Sequence, residues 1–148
     1  MGILPGMITI AADALAAILA HGEADFPFEA CGLLVGRDDP GGARRVEVVC
    51  PLPNVREEEE RHHRFLIAPE DLVREERRVR LEGREIVGVY HSHPDRPAAP
   101  SRHDLRLAWP LYSYVVVAVR AGSAVEALSW RLSADRVRFE PEALVKGD

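Results

Sequence analysis

The sequence predicts an α/β protein in which helices interrupt strands that can largely pair in one sheet. Short apolar runs rich in valine and isoleucine recur along the chain and are typical of buried strands. Two longer stretches place apolar residues on one side of a helix. The chain has 148 residues, 47% of them hydrophobic, so it can bury a substantial core, and we assign residues 1–148 to a single domain.

The first half of the chain is predicted to hold three strands and one helix. In chain order these are a strand over residues 7–10, a helix over residues 11–21, and strands over residues 32–36 and 44–51. Gly22 follows His21 and favours the end of the helix at that point. The turn-forming residues 38–42 favour a hairpin between the last two strands.

The second half is predicted to add a long helix and further strands. The strands cover residues 64–67, 85–90, 112–120, 125–132 and 137–139, the last three as an antiparallel meander. The helix begins at Pro69, a favoured residue in a first turn, and runs to about Gly83 with Leu72, Val79 and Leu81 buried. Its interleaved charges predict a solvated face made of Arg74, Glu75, Glu76, Arg77, Arg78, Arg80 and Glu82.

The most informative stretch follows the apolar run over residues 85–90. His91 and His93 continue this strand. Because side chains at i and i+2 share one face of a strand, their nitrogens can bind one ion at roughly 2.0 to 2.1 Å, while Ser92 points away. This spacing supplies two ligands of a zinc site.

A proline-rich loop separates the two histidines from a second polar pair, Ser101 and Asp104. Ser-x-x-Asp at the start of a short helix is typical of a capping box. The two histidines and Asp104 together supply three protein ligands and leave a fourth position for water, as in catalytic zinc sites. The two interpretations are compatible, because the Ser101 hydroxyl can accept from a backbone N–H and still donate a hydrogen bond.

The pattern His-x-His-Pro, six residues, then Ser-x-x-Asp resembles the signature of the MPN/JAMM (JAB/PAD-type) zinc metalloproteases, which include deubiquitinating enzymes. The resemblance extends to Asn54 and to the helix that opens at Pro69, and it is greatest to the compact bacterial branch. It implies a curved, mostly antiparallel mixed sheet flanked by helices, similar to the cytidine deaminase fold. It also implies a catalytic base, and Glu29 occupies the matching position before an early strand.

The resemblance further implies a peptidase that binds one Zn²⁺ per chain through His91, His93 and Asp104. Glu29 would activate the attacking water, and Ser101 would stabilise the oxyanion of the tetrahedral intermediate. Members of the bacterial branch cut the peptide bond after the C-terminal Gly-Gly of ubiquitin-like sulfur-carrier proteins and release an amino acid such as cysteine, or a short extension. We therefore expect such a carrier as substrate and partner, in cysteine biosynthesis.

The remaining histidines are assigned to structural or surface positions. His103 would project about 100° away from Asp104 on a helix, so it is predicted to face solvent or to lie just outside the metal ligands. His62 and His63 lie in the charged segment from Arg56 to Arg64, called the 56–64 segment below. Because this segment is long and polar, we predict a mobile flap that contacts substrate.

The two cysteines, Cys31 and Cys50, lack the close pairing of a zinc or redox motif. They are predicted to be reduced, buried thiols. Cys31 is near Glu29 in the chain and is a candidate to line the site.

Charge and hydropathy exclude several other functions. The net charge of −5 argues against a nucleic-acid partner, since such binding needs a basic face. The chain has no apolar stretch of about 18 residues that could span a membrane, and it lacks the pattern of a secretion signal. We expect a cytoplasmic protein, and its oligomeric state stays open, with a homodimer as one option.

Two alternatives to a zinc peptidase remain. Two histidines and one carboxylate also form the iron site of non-haem iron enzymes. The MPN fold also serves as a non-catalytic scaffold that binds ubiquitin-like proteins. The base offered by Glu29 and the complete ligand set favour hydrolysis over both.

Overall fold

The computed structural model describes residues 6–147, and the strands found there form one sheet. The elements are β1 (Met7–Ile10), α1 (Ala12–Asp25), β2 (Cys31–Asp38), β3 (Arg44–Leu52), α2 (Pro69–Leu81), β4 (Glu85–Pro94), α3 (Arg102–Leu107), β5 (Ser113–Arg120), β6 (Ser123–Leu132) and β7 (Phe139–Lys146). A short 3₁₀ helix, Glu58–Glu60, lies between β3 and α2. Within these residues, no helix has the length and apolar character needed to cross a membrane.

The sheet is mixed and closes on itself. Its strand order is β1-β3-β2-β4-β5-β6-β7, and β1 also pairs with β7 to complete a barrel. The pairs β1–β3, β1–β7 and β4–β5 are parallel, and the other neighbours are antiparallel. The predicted curved, mostly antiparallel mixed sheet is confirmed. Closure goes beyond that prediction, because β1 and β7 lie at opposite ends of the chain and local periodicity carries no signal for their pairing.

Apolar clusters cover both faces of the sheet. On one face, Ile18 of α1 packs among buried residues of β1 to β5 such as Tyr90. On the other face, Val79 of α2 packs against residues such as Leu33 and Val89. Both faces are therefore buried, which explains why β2, β4 and β5 are continuous apolar runs rather than alternating ones.

A β-bulge in β4 sets the direction of the histidines. Leu34 pairs with Gly88 but its neighbour Val35 pairs with Ile86, so Val87 is an extra residue on β4. Beyond the bulge, Val89 faces α2 and Tyr90 faces α1. The alternation continues along the strand, so that His91 and His93 lie on the α2 side and Ser92 lies on the α1 side.

The predicted end of the first helix at His21 is wrong, because α1 continues to Asp25. Gly22 lies within the helix and allows close packing instead of ending it. A Cβ atom on Gly22 would lie 3.2 Å from Cγ2 of Val119 and 3.3 Å from Cβ of Ser92. The ring of His21 contacts β4 through Nδ1, 2.7 Å from the Tyr90 hydroxyl, and contacts its own helix through Nε2, 3.1 Å from Oδ2 of Asp25.

Two predicted strands differ from the structure. Residues 64–67 form no strand, because Leu66 donates its N–H to Oδ1 of Asn54 at 3.1 Å and accepts from Val55 N at 2.9 Å. The last strand, predicted over residues 137–139, instead covers Phe139–Lys146. Its alternation of glutamate, proline and apolar residues is too weak to predict a strand.

Two details of α2 also correct the prediction. Leu81 is 84% exposed, because it lies off the helix face formed by Leu72, Glu75 and Val79. Glu75, assigned to the solvated face, is buried and accepts hydrogen bonds from Nε of Arg78 at 2.7 Å and from Sγ of Cys50 at 3.2 Å. A buried carboxylate with these partners therefore occupies a position on this face where an apolar residue would be expected.

Candidate metal centre

The two histidines of β4 are buried side by side at the carboxyl end of the strand. His91 is 1% exposed and His93 is 2% exposed. Nδ1 of His93 lies 2.9 Å from the carbonyl oxygen of Pro97, and since a carbonyl only accepts, this nitrogen carries a proton, so the neutral ring that a metal requires has its lone pair on Nε2. The Nε2 lone pair of His93 is then available to a metal. The ring of Phe65 stacks on His91 with centroids 4.5 Å apart.

Asp104 of α3 completes a triangle of ligand atoms with the two histidines. Nε2 of His91 lies 3.2 Å from Nε2 of His93 and 3.1 Å from Oδ2 of Asp104, which is 3.3 Å from Nε2 of His93. A tetrahedral zinc site with ligands at about 2.0 Å has edges of about 3.3 Å. The three atoms therefore match three corners of a tetrahedron, so these residues fit a metal ion and leave the fourth corner to another ligand.

The ionised form of Asp104 is strongly favoured. Burial opposes its ionisation, but the charge of His91 and hydrogen bonds from His91, His93 and the backbone of Ser101 hold its pKa well below the usual range. A carboxylate that stays ionised at neutral pH is in the state needed to bind a cation.

Glu29 lies in the loop before β2 and is brought to the site by strand pairing. Cys31 pairs with His91. The N–H of Ala30 donates to Oγ of Ser92, and the N–H of Ser92 donates to the carbonyl of Ala30, so Glu29 falls beside His93. Ligand atoms of Glu29, His91 and His93 lie within 4.8 Å of one another. This spacing is looser than that of the triangle with Asp104 and suits a carboxylate separated from the ion by a water.

The carboxyl of Glu29 is buried and only partly paired. It is 1% exposed, its Oε1 has no hydrogen-bond partner among the described residues, and its Oε2 accepts from Nη2 of Arg96. Burial raises the pKa of Glu29 to about 7, although the charges of His93 and Arg96 oppose the rise. Such a group can both take up and release a proton near neutral pH.

Ser101 and Asp104 form the predicted capping box. Oγ of Ser101 accepts from the backbone N–H of Asp104 at 3.1 Å, and Oδ2 of Asp104 accepts from the backbone N–H of Ser101 at 2.8 Å. The same Oδ2 atom faces both histidines. Capping and metal-ligand geometry therefore coexist, and the cap fixes the rotamer of Asp104.

Arg96 and Asn54 contact the site in ways that no local sequence pattern predicts. Arg96 lies in the loop between the two histidines and the Ser101–Asp104 pair, so the motif predicts that it is near the site, but it does not predict the pairing with Glu29. Asn54 donates from Nδ2 to the carbonyl of Glu29 at 3.0 Å and to that of Arg64 at 3.0 Å. Its Oδ1 accepts from the backbone N–H groups of Arg56 and Leu66. A single asparagine before a charged segment gives no local signal for four such bonds.

The other candidate histidines and Cys31 do not join the ligand triangle. Nε2 of His103 lies 2.8 Å from Nη2 of Arg56 in the 56–64 segment, and burial together with the charges of Arg64 and Arg56 lowers its pKa. His62 and His63 contact each other at 3.0 Å. Sγ of Cys31 is directed toward the carbonyl oxygens of residues 52 and 53, and burial raises its pKa to about 12.

The fold and the site together define an α/β domain with a candidate metal centre. Residues 11–133 match the family described as prokaryotic homologs of the JAB domain. The chain belongs to this family, and the resemblance to the MPN/JAMM proteins is confirmed.

Named relatives agree with this assignment. The chain is 34% identical to a CysO-cysteine peptidase from Mycobacterium tuberculosis over 95% of its own length and 92% of the relative. It is 36% identical to a desampylase from Haloferax volcanii over 74% of its length and 78% of the relative. A solution structure of a protein from Desulfitobacterium hafniense is similar with a TM-score of 0.82 and 33% identity, covering 96% of this chain and 94% of that one.

Proposed function

We propose that this protein is a zinc-dependent peptidase that cuts the peptide bond after the C-terminal Gly-Gly of a ubiquitin-like sulfur-carrier protein. It releases an amino acid such as cysteine, or a short extension. The triangle of His91, His93 and Asp104, with edges of 3.1 to 3.3 Å, is the observation that carries the proposal. The peptidase named among its relatives supports this substrate class.

Zinc suits these ligands because two imidazoles and one carboxylate with an open fourth position are typical of catalytic zinc sites. When bound, zinc lowers the pKa of a water toward about 7 and polarises a carbonyl group. Both rings are held in place for this purpose: His93 by its hydrogen bond to the carbonyl of Pro97, and His91 by stacking on Phe65.

Glu29 and Ser101 supply the proton transfer and the charge stabilisation. Glu29 accepts a proton from the attacking water through Oε1, which has no hydrogen-bond partner within residues 6–147, and returns it to the leaving amine. The Ser101 hydroxyl, whose oxygen already accepts from Asp104, donates its hydrogen to the oxyanion of the tetrahedral intermediate. No covalent acyl-enzyme is needed.

The test is incubation of the zinc-loaded protein with a panel of ubiquitin-like carriers extended past their terminal Gly-Gly, followed by intact mass measurement. We expect loss of the extension alone from at least one carrier. Failure to cut any carrier, or cutting at other bonds, would refute the proposal. Turnover that requires iron and oxygen would favour the non-haem iron alternative.

Glu29→Gln is the matched control for this experiment. The variant should keep zinc, measured by elemental analysis, and lose at least about 10² in turnover, because general acid–base catalysis typically contributes 10²- to 10⁴-fold. Full activity in this variant would contradict the role of Glu29 even if the carrier is cleaved.

A further inference from the structure

We propose that Arg96 binds the free α-carboxylate of the residue that leaves, so that the protein prefers to remove one C-terminal amino acid rather than to cut internal bonds or lysine isopeptides. The inference rests on the proposed function and specifies its leaving group. It assigns Arg96 the role of a specificity-determining residue.

The position of Arg96 supports this role. Its guanidinium donates to Oε2 of Glu29, its side chain is 31% exposed, and its buried Nε has no hydrogen-bond partner among the described residues. A guanidinium has five N–H donors in a planar fork that matches a carboxylate. Glu29 uses only part of this donor set, and the exposed part of the side chain remains accessible to a substrate.

The loop that carries Arg96 is fixed on both sides of it. Asp95 donates its N–H to the carbonyl of Val119 at 2.7 Å and accepts from Ala121 N at 2.8 Å. The carbonyl of Pro97 contacts Nδ1 of His93, and that of Ala98 accepts from Nε1 of Trp130 at 3.0 Å. The guanidinium therefore extends from a backbone anchored to the metal-site strand and to the sheet, which reduces the entropy lost on binding.

The chemistry of the leaving group explains why this position matters. A proton returned by Glu29 goes to the amine nitrogen of the scissile bond, so this nitrogen must lie within hydrogen-bond reach of the carboxyl. When one residue follows the bond, its α-carboxylate is only two bonds from that nitrogen. A cation that already touches Glu29 is then within reach of this carboxylate. A two-residue extension moves the carboxylate three bonds further away, and a lysine isopeptide places it six bonds from the ε-nitrogen.

The experiment uses the carrier that is cleaved in the panel described above, prepared with three C-termini: one cysteine as the free acid, one cysteine as the carboxamide, and a cysteine-alanine extension. We expect kcat/KM to be roughly tenfold to a hundredfold higher for the acid than for the amide, because hydrogen bonds to charged groups contribute about 1.5 to 3 kcal/mol. The two-residue extension should be cut more slowly than the single cysteine.

Substitutions distinguish binding of the α-carboxylate by Arg96 from an indirect role in positioning Glu29. Arg96→Gln should bring the acid-to-amide ratio of kcat/KM close to one, whatever the absolute loss on both substrates. Arg96→Lys should retain part of the preference, since it keeps the charge. Arg77→Gln removes the same charge from the exposed side of α2 and should leave the ratio unchanged.

The outcomes distinguish the two proposals. Cleavage of acid and amide at equal rates by the wild-type protein would overturn the inference and leave the peptidase function standing. An acid-to-amide ratio that survives in Arg96→Gln would also overturn it, and would restrict Arg96 to positioning Glu29. Cleavage of none of the carriers would refute the proposed function itself, and the inference with it.

Discussion

At the scale of single residues, Ser101 combines two polar roles in one hydroxyl group. Its oxygen caps α3 by accepting from Asp104 N, and among the described residues its hydrogen has no acceptor. The cap holds the carboxylate of Asp104 against the two histidines, so a substitution at Ser101 can act on stability, on the metal site or on the transition state. These effects can be separated because glycine and alanine differ as N-cap residues.

Ser101→Ala and Ser101→Gly should therefore differ in stability but not in rate. Loss of an N-cap serine to alanine costs about 1 kcal/mol of stability, and loss to glycine costs only a few tenths. Both variants lack the hydroxyl donor, and both should lose roughly 10² to 10³ in kcat. Melting temperature and turnover are measured on the same zinc-loaded samples. If activity follows melting temperature, so that the glycine variant is nearly normal, Ser101 is only a cap.

The sequence predicts the relative positions of some of these side chains better than those of others, for a physical reason. His91 and His93 are two apart on one strand, and Ser101 and Asp104 are three apart on one helix, so local periodicity already places each pair on a common face. The meeting of Glu29 with His93 depends on the register between β2 and β4, which no short-range pattern encodes. The pairing of Glu29 with Arg96 is still harder to predict, because it also depends on the conformation of the loop after β4.

At the scale of elements, the 56–64 segment is attached to the site at few points. Asn54 forms four hydrogen bonds, three of them to residues at or near the two ends of the segment and one to the carbonyl of Glu29. The carbonyl of Arg61 accepts from Glu29 N at 2.7 Å, and Arg56 contacts His103. The segment lies beside Glu29, the proposed catalytic base, rather than in the core of the sheet. Its role as a mobile flap that contacts substrate stays a prediction, and Asn54 is the residue at which it can be tested.

Asn54→Ala should loosen this segment more than the rest of the protein. The substitution leaves two carbonyls and two N–H groups without partners, and we expect a loss of about 1 to 3 kcal/mol in the free energy of unfolding. Trypsin should cut faster after Arg56, Arg61 and Arg64, read by mass spectrometry, and bound carrier should slow this cleavage. Val79→Ala, a core variant of α2, provides a control of comparable instability. Equal cleavage of the segment in both variants, or no protection by carrier, would count against the flap.

At the scale of the whole molecule, the buried Glu29 lowers stability at neutral pH. The pKa of its carboxyl is raised from 4.5 to about 7 in the folded protein. Below pH 4.5 the group is protonated in both states, but between these values the unfolded chain releases its proton first. A rise in pH across this range therefore favours unfolding, and the effect is complete above pH 7.

Glu29→Gln should remove this pH dependence. In protein treated with a chelator, we expect the variant to be more stable than the wild type by about 3 kcal/mol at pH 8, and the difference should shrink toward zero near pH 4. Asp104 titrates in the opposite direction but is common to both proteins. Urea unfolding at several pH values measures the difference, and a gap that does not vary with pH would show that Glu29 has an ordinary pKa.

A bound metal should act on the stability of the whole fold, because its three proposed ligands join β4 to α3 across a loop and the unfolded chain cannot hold them together. Zinc at a hundred times its dissociation constant should stabilise the protein by about 2.7 kcal/mol, which corresponds to a rise in melting temperature of roughly 5 to 10 °C for a chain of this size. A chelator should reverse the rise. His91→Ala should abolish it, while His103→Ala should keep it, since His103 contacts Arg56 and not the ligand atoms. An equal response to zinc in the wild type and in His91→Ala would place the ion elsewhere and remove the basis for zinc-dependent hydrolysis at this site.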